Sequence, residues 1–407
     1  MNTIIKIAWR NIWRNKRRTF ITVASVMFAL FFSLIMRGFQ RGSYAKMKNN
    51  AIESYSGYLQ IHKKGYWNDK NINNTFSLDD KTISKFESDS RVNVIFPRLE
   101  TFALASSDEL TKGVAVLGIS PEKENKMTKI NSYLVEGEYL LGEDKSVLVA
   151  QGLAEFLNVK VNDTLVLFSS GYHGFTAAGL YPVKGILKLP TPQMNGGTIY
   201  IPINEAKTFL STEGKITALI FNLYNLDDVD GVIEDVISGI DNTKYEVIGW
   251  EEMNKELLQM IESDNAGGII MIAILYLVIA FGIFGTVLMM TNERMREFSV
   301  MVSLGMQKTK LALVVILELF FMTFIGVLSG ISISLPIMFY YFYNPIVFTG
   351  QSVEAMKDFN FEPILPMSLE SGIFITQAVA ISVISLIAMS YPTIKILRLN
   401  VINGLRS

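Results

Sequence analysis

Cysteine is absent from the 407 residues, which excludes disulfides, thiolate metal sites and cysteine nucleophiles together. Histidine occurs twice, at His62 and His173, far apart and without a ligand-spaced partner, so both read as surface or loop residues and not as metal ligands. Charge is scarce as well: 18% of residues are charged, against roughly 25% in an ordinary soluble chain. No Gly-x-x-x-x-Gly-Lys-Ser/Thr loop is present to cradle a nucleotide, and neither His-Glu-x-x-His nor Gly-x-Ser-x-Gly occurs. The acid pairs Asp79–Asp80 and Asp227–Asp228 sit in polar, turn-like contexts and read as solvated caps. No catalytic residue, metal or cofactor of its own is therefore expected, and a net charge of −1 predicts no nucleic-acid partner.

What is abundant is apolar length. A helix needs about 20 apolar residues to cross a bilayer core. Residues 267–291 and 371–391 carry no charge, and residues 311–343 carry only Glu318. The fourth candidate is 19–38, uncharged through Met36. Its rival reading is a cleaved signal peptide. The basic flank fits that, but the apolar run exceeds the usual 7–15 residues and no small-x-small site follows, which favours a retained helix.

Charge then sets the expected orientation. Residues 1–18 hold six basic residues and no acid, the loop 292–310 four basic and two acidic residues, and the tail 392–407 three basic residues and no acid. The segment 39–266 holds 22 basic and 31 acidic residues, and the loop 344–370 one lysine and four acids. Positive charge marks the cytoplasmic side of a membrane. Both termini are thus expected inside, with 39–266 and 344–370 outside. Within 1–18, Trp9 and Trp13 interleave with Arg10, Arg14, Arg17 and Arg18 beside several isoleucines. This reads as an amphipathic helix lying in the membrane interface, in contact with lipid; a plain basic flank that sets topology is the alternative.

The segment 39–266 predicts a mixed α+β domain. Strands are expected over 57–62, 114–119, 164–168, 180–187, 198–201 and 216–224, and helices over 79–87, 151–157, 204–210 (capped by Asn204) and 227–237. Residues 44–55 read as an outward stalk of the first helix, and 250–262 as one helix running into the second membrane segment without a break. The expected fold class is an α-helical membrane protein with four transmembrane helices plus a large mixed α+β extracytoplasmic domain.

Glu318 lies roughly 10–12 Å from the start of its apolar run. A carboxylate there either finds a partner in helix packing and coupling or snorkels to the interface. Gly326 and Gly330 stand at small-xxx-small spacing, which permits close helix approach. The loop between the second and third runs reads Arg294-Met295-Arg296-Glu297-Phe298-Ser299-Val300-Met301-Val302-Ser303-Leu304-Gly305. It resembles the coupling-helix element of the FtsX-like (type VII) ABC transporter permeases. By that resemblance Arg296 and Glu297 make polar contacts to a partner ATPase, and Phe298, Met301, Leu304 and Gly305 complete a helix that docks in a groove. The alternative is an ordinary amphipathic loop. The run from Ala8 to Thr19, the position of Glu318 and Gly326–Gly330, and the tail Tyr391–Arg406 are similar to the same family, with Val401 departing where proline is usual.

Residues 133–139, 146–159, 170–186 and 198–210 are similar to its lipoprotein-releasing (Lol) branch. The cell-division FtsX proteins have a smaller outer domain, and the MacB pumps carry a fused ATPase. The resemblance implies a permease in a bacterial inner membrane, paired with a second permease chain, identical or not. A separate ABC ATPase subunit would bind the ATP and Mg. The implied substrate is a lipoprotein, taken between the first and second helices, with Phe32, Met36 and Phe39 as a possible apolar cavity or simply lipid-facing side chains. A periplasmic chaperone is a possible further partner, although 169–180 is short for the hairpin that recruits one. Two other readings stay open: a mechanotransmission permease for efflux or envelope signalling, and a membrane-anchored scaffold or sensor.

Overall fold

The computed structural model describes residues 2–14, 16–108, 110–349 and 364–400. The tail residues Val401–Arg406, residues 350–363 of the 344–370 loop and the Arg18 side chain lie outside that description. The chain opens with α1 (Asn2–Arg14) and α2 (Lys16–Ala51), which closes in a π-helical turn at Ile52–Ser56. Then come β1 (Leu59–Lys63), α3 (Asp80–Glu87), β2 (Val92–Ser107), β3 (Leu110–Ile119), α4 (Pro121–Thr128), β4 (Leu134–Gly137), β5 (Val147–Ala150) and α5 (Gln151–Leu157). They are followed by β6 (Thr164–Ser170), β7 (Thr176–Leu187), α6 (Pro192–Gly197), β8 (Thr198–Pro202), α7 (Ile203–Leu210), β9 (Ala218–Leu223), α8 (Val229–Gly239) and β10 (Tyr245–Gly249). The C-terminal part holds α9 (Trp250–Met253), α10 (Lys255–Glu293), α11 (Met295–Ser303) and α12 (Lys308–Tyr343). A two-residue ladder of β11 (Ile346–Val347) with β12 (Ile364–Leu365) precedes α13 (Ser371–Leu397).

Two compact units result: one of α1, most of α2 and α10–α13, the other built on residues 46–259. In the first, α2, α10, α12 and α13 are each long and apolar enough to cross a membrane. Thr22, Val26, Ala29, Leu30, Ser33 and Leu34 are buried at the three- and four-residue spacing of one helix face.

The second unit turns on β2. Its first half, Val92–Arg98, pairs with β9 in an antiparallel sheet ordered β10–β1–β9–β2. From Leu99 onward it pairs instead with β3 and, from Ala103, with β6. The ladders β3–β8, β8–β5, β5–β7 and β7–β6 then return to β2, closing a six-stranded barrel. Pro97 sits at the handover, paired on one edge only, where its missing N–H costs least. Each half has its own core, Phe221 with Trp250 in the sheet and Leu148 with Leu167 in the barrel.

Arg98 is fully buried at this handover. Its Nη2 donates to Glu124 Oε1 at 2.7 Å and its Nη1 to the Tyr55 carbonyl at 2.8 Å, and Glu100 lies 3.3 Å away. The Tyr55 hydroxyl in turn donates to Glu100 at 2.8 Å. A buried guanidinium is tolerated only when paired and hydrogen-bonded this fully. The network ties the turn that ends α2 to the strand shared by both halves.

Several expectations need correction. Strand β2 was not expected at all, and neither were β4, β5 and β10. Helix α7 starts at Ile203 and has Pro202 at its cap position, so Asn204 is not the cap. The segment 250–262 is not one helix: it breaks at Asn254, whose side chain turns back onto the Trp250 carbonyl at 2.8 Å and competes with the backbone. His62 is no surface residue. It is completely buried on β1, stacked on Tyr66 at 4.8 Å, with Nδ1 at 2.7 Å from the Thr217 carbonyl and no partner for Nε2 among the described residues. His173 is exposed, in a left-handed conformation in the β6–β7 turn.

Burial pushes the His62 imidazole below its ordinary value, because a second proton would sit on a buried nitrogen without an acceptor. The unfolded chain, titrating near 6.5, binds more protons than the folded one as pH falls below that value. His62 therefore stabilises fully above about pH 6.5 and loses its contribution as the pH drops toward its folded value. Thermal unfolding of the purified chain should show a melting temperature lower at pH 6 than at pH 7.5. His62→Gln should lower the melting temperature at pH 7.5 and flatten that dependence.

Candidate functional site

The apolar runs end where charge returns, and the described charges there organise around one bend. Helix α10 stops at Glu293. Arg294 leaves helical geometry (φ −96°, ψ 2°) and its carbonyl accepts the Phe298 amide at 2.9 Å, starting α11. The other end of α11 closes through two bonds, Gly305 N–H to the Val302 carbonyl at 3.0 Å and Met306 N–H to the Met301 carbonyl at 3.1 Å. This paired closure needs a left-handed residue, and Gly305 supplies it at φ +98°. Gly305 therefore terminates the helix and offers no side chain to a partner.

Arg294 is buried, and its Nη1 donates to both Glu318 oxygens, at 2.7 and 2.8 Å. The Phe298 ring lies against the guanidinium at 5.1 Å. Glu318 is buried on α12, so it is a paired helix-packing residue and does not snorkel. Arg294 stands inside the loop motif but was not among the expected site residues. The available signal was charge: it lies 24 residues before the only charged residue of the third apolar run.

Phe298 is 1% exposed, and Met301 is half-buried. The expectation that Phe298 anchors a partner is thus corrected, since its ring is committed to Arg294 and the core of this unit. The outward face of α11 instead carries Arg296, Glu297, Val300 and Leu304, the last 84% exposed. Val300 was missed, being one turn from Arg296 on that face. Glu297 accepts from Arg14 Nη2 at 3.0 Å, joining α11 to the end of α1.

Helix α1 packs along α12 through buried Ala8 and Ile12, and Trp9 meets Phe321 edge-on at 5.6 Å. Trp9 and Trp13 remain partly exposed, as do Arg10 and Arg17. One face of α1 is thus spent on α12, while Trp13, Arg10 and Arg17 stay exposed. Gly326 and Gly330 face α2. A Cβ on Gly326 would lie 2.7 Å from Val26 Cβ, and one on Gly330 3.0 Å from Leu30 Cβ, so any larger residue would force the two helices apart.

Phe32, Met36 and Phe39 share one stripe of α2 but meet different surroundings. Phe32 is exposed and stacks on Phe28 at 6.4 Å, Met36 is half-buried, and Phe39 packs on Tyr341 at 5.7 Å. A shallow apolar groove between α12 and α13 is lined by Phe320, Phe324, Leu386 and Met389, and by none of those three.

Removing one partner of a buried ion pair strands the other charge, typically at about 3–5 kcal/mol. Glu318→Ala should therefore destabilise the chain by about that much in denaturant unfolding from detergent or bicelles. The double change Arg294→Met with Glu318→Leu, which strands nothing, should cost clearly less.

Two family models match this chain: FtsX-like permease C-terminal over residues 269–401 and MacB-like periplasmic core domain over residues 19–238. The lipoprotein-releasing system transmembrane protein LolC of Neisseria meningitidis serogroup B is 22% identical over 335 residues, covering 78% of this chain and 77% of the relative. An uncharacterised ABC transporter permease of Methanocaldococcus jannaschii is 23% identical over 220 residues, covering 52% of this chain and 53% of the relative. Among solved structures, the extracellular domain of YknZ from Gram-positive bacteria aligns with a TM-score of 0.34 at 13% identity, over 47% of this chain and 99% of that one. The periplasmic region of MacB from Actinobacillus actinomycetemcomitans aligns with a TM-score of 0.36 at 10% identity, over 51% and 94%. With the outer domain and the membrane helices each matched by a model of one transporter class, this chain belongs to the FtsX-like, MacB-type ABC transporter permeases.

Proposed function

We propose that this permease couples ATP hydrolysis by a separate ATPase subunit to the release of lipoproteins from the outer leaflet of the bacterial inner membrane. Both termini and α11 would then face the cytoplasm, and the unit built on residues 46–259 the opposite side. The observation that carries the coupling role is α11 itself: a short helix closed at both ends, held to α12 by the Arg294–Glu318 pair, with Val300 and Leu304 left bare beside Arg296. A rigid helix with an apolar outward stripe suits docking in a groove. The choice of substrate is supported by the 22% identity to LolC over most of both chains.

A second reading, a mechanotransmission permease that moves no substrate through the membrane, is favoured by one feature. Helix α10 has 39 residues. At about 1.5 Å per residue it spans roughly 58 Å, well beyond a hydrocarbon core of about 30 Å. A lever of that length would carry motion away from the membrane.

The test is reconstitution in nanodiscs with a separately expressed candidate ABC ATPase subunit, adding a triacylated lipoprotein. Lipoprotein-dependent turnover together with release to an acceptor supports the first reading. Turnover indifferent to lipoprotein leaves mechanotransmission. In the same system Val300→Asp and Leu304→Asp should each weaken ATPase co-purification by roughly thirtyfold, the scale of a hot-spot residue worth about 2 kcal/mol. If both variants retain full co-purification, α11 is not the docking element.

A further inference from the structure

The first 18 residues hold six basic residues and no acid. Lys6, Arg10 and Arg14 follow one another at four-residue spacing on α1, on the side turned away from buried Ala8 and Ile12. Lys16 and Arg17 continue the row into α2, and all five cations are exposed. Trp13 and Ile5, exposed as well, stand among them. A single residue separates α1 from α2, where Phe20 lies exposed at the start of the first apolar run. A surface of cations and an indole, joined this directly to a membrane helix, belongs at the depth of the lipid headgroups.

Among the described residues, Arg14 alone of these cations meets an acid. Its Nη2 lies 3.0 Å from Glu297 Oε2, with the Arg14 side chain 57% exposed and that of Glu297 51%. The same carboxylate oxygen lies 3.5 Å from Nε of Arg294. That nitrogen is buried and has no hydrogen-bond partner among the described residues. Glu297 thus stands between two guanidiniums, held by the exposed one and a small movement away from the buried one. A buried N–H without an acceptor carries a desolvation cost, so closing on Arg294 Nε would offset the loss of Arg14.

We propose that the exposed side of α1 binds anionic phospholipid headgroups, and that a headgroup takes Arg14 from Glu297, which then closes on Arg294. Charge complementarity selects the ligand: a row of cations without an acid attracts anionic lipid over zwitterionic lipid. Exposed Trp13 and Ile5 favour a membrane surface over a soluble anion. An exposed ion pair holds its closed form over the open one by at most roughly fivefold. A headgroup beside an arginine attracts it about as strongly, so the anionic lipid content of the leaflet sets the balance. In a zwitterionic leaflet α1 and α11 stay joined, and in an anionic one they part. The consequence for coupling rests on the reading of α11 as the helix that docks the ATPase.

The test counts lipid on the full chain. Phosphatidylglycerol or phosphatidylcholine is added to the protein in detergent micelles, and native mass spectrometry separates lipid-bound from lipid-free chain. Phosphatidylglycerol should bind in preference, and Lys6→Gln and Arg10→Gln should each weaken it by roughly fivefold. Arg41→Gln, exposed toward the other end of α2, should leave it unchanged. Glu297→Gln should tighten phosphatidylglycerol binding by up to about fivefold, because Arg14 is then free. In an Arg14→Gln background the same change should do nothing. Equal binding of the two lipids, or a loss at Arg41 matching those at Lys6 and Arg10, overturns the lipid surface. Tightening that survives Arg14→Gln overturns the competition for Arg14. Displacement of the lipid by an equal concentration of glycerol 3-phosphate or of an oligoglutamate peptide also overturns the assignment, making free phosphate or an acidic protein the ligand. Co-purification of the candidate ATPase, read on the same preparations, separates the two ideas. If it persists while lipid preference is missing, the lipid surface has failed; if it is missing from a chain that keeps its lipid preference, the docking role of α11 has failed.

Discussion

Arg294 lies buried at the bend between α10 and α11, and a guanidinium can stay there only if a carboxylate meets it. Glu318 does so through both oxygens, one bond at 2.7 Å and the other at 2.8 Å. Each group alone would be untenable: the arginine unpaired beneath a helix bend, the glutamate unpaired among apolar side chains. Together they fix where α11 leaves α10 and which side of α12 it follows. Once that direction is set, Phe298 falls inward against the guanidinium, while Val300 and Leu304 fall outward. The outward face of α11 is thus a consequence of one ion pair as much as of the local sequence.

The second unit solves a different junction with the same chemistry. Strand β2 must serve a sheet on one half of its length and a barrel on the other, and Arg98 sits at the change. Its partners come from three places: Glu124 on α4, Glu100 two residues along the strand, and the Tyr55 carbonyl in the turn ending α2. Burial pushes the Glu124 carboxyl up, against the Arg98 charge, which favours its ionised form. A network with partners so distant in sequence specifies one arrangement of the halves, because any other would leave a buried charge unpaired.

The legibility of these features in the sequence follows from the range of the forces that form them. The membrane segments were visible because twenty apolar residues in a row have few other uses. Gly326 and Gly330 were visible because small residues at that spacing do one thing in a membrane helix. Strand β2 was hidden because Pro97, Arg98 and Glu100 interrupt its alternation, and what makes them tolerable lies elsewhere in the chain. His62 was misjudged because β1 is covered on both faces, so its alternation carries no signal. Phe298 was misread for a third reason. An amphipathic period shows that a face will be covered, not whether the cover is the chain itself or a partner.

Three ion pairs surround α11, since Glu297 meets both Arg14 at 3.0 Å and Arg294 at 3.5 Å while Arg294 also meets Glu318, and their difference in strength bears on how a load on that helix would travel. Arg14–Glu297 is exposed at both ends, so it is worth at most about 1 kcal/mol and weakens with salt. Breaking Arg294–Glu318 strands two buried charges. On the proposed reading, α1 can therefore part from α11 at little cost, while α11 and α12 have to move together. From α12 the next rigid contact is the glycine face at Gly326 and Gly330, packed on Val26 and Leu30 of α2. Softening that glycine contact should therefore loosen α12 from α2 while leaving the Arg294–Glu318 pair intact, which distinguishes a transmitted motion from a merely stable fold.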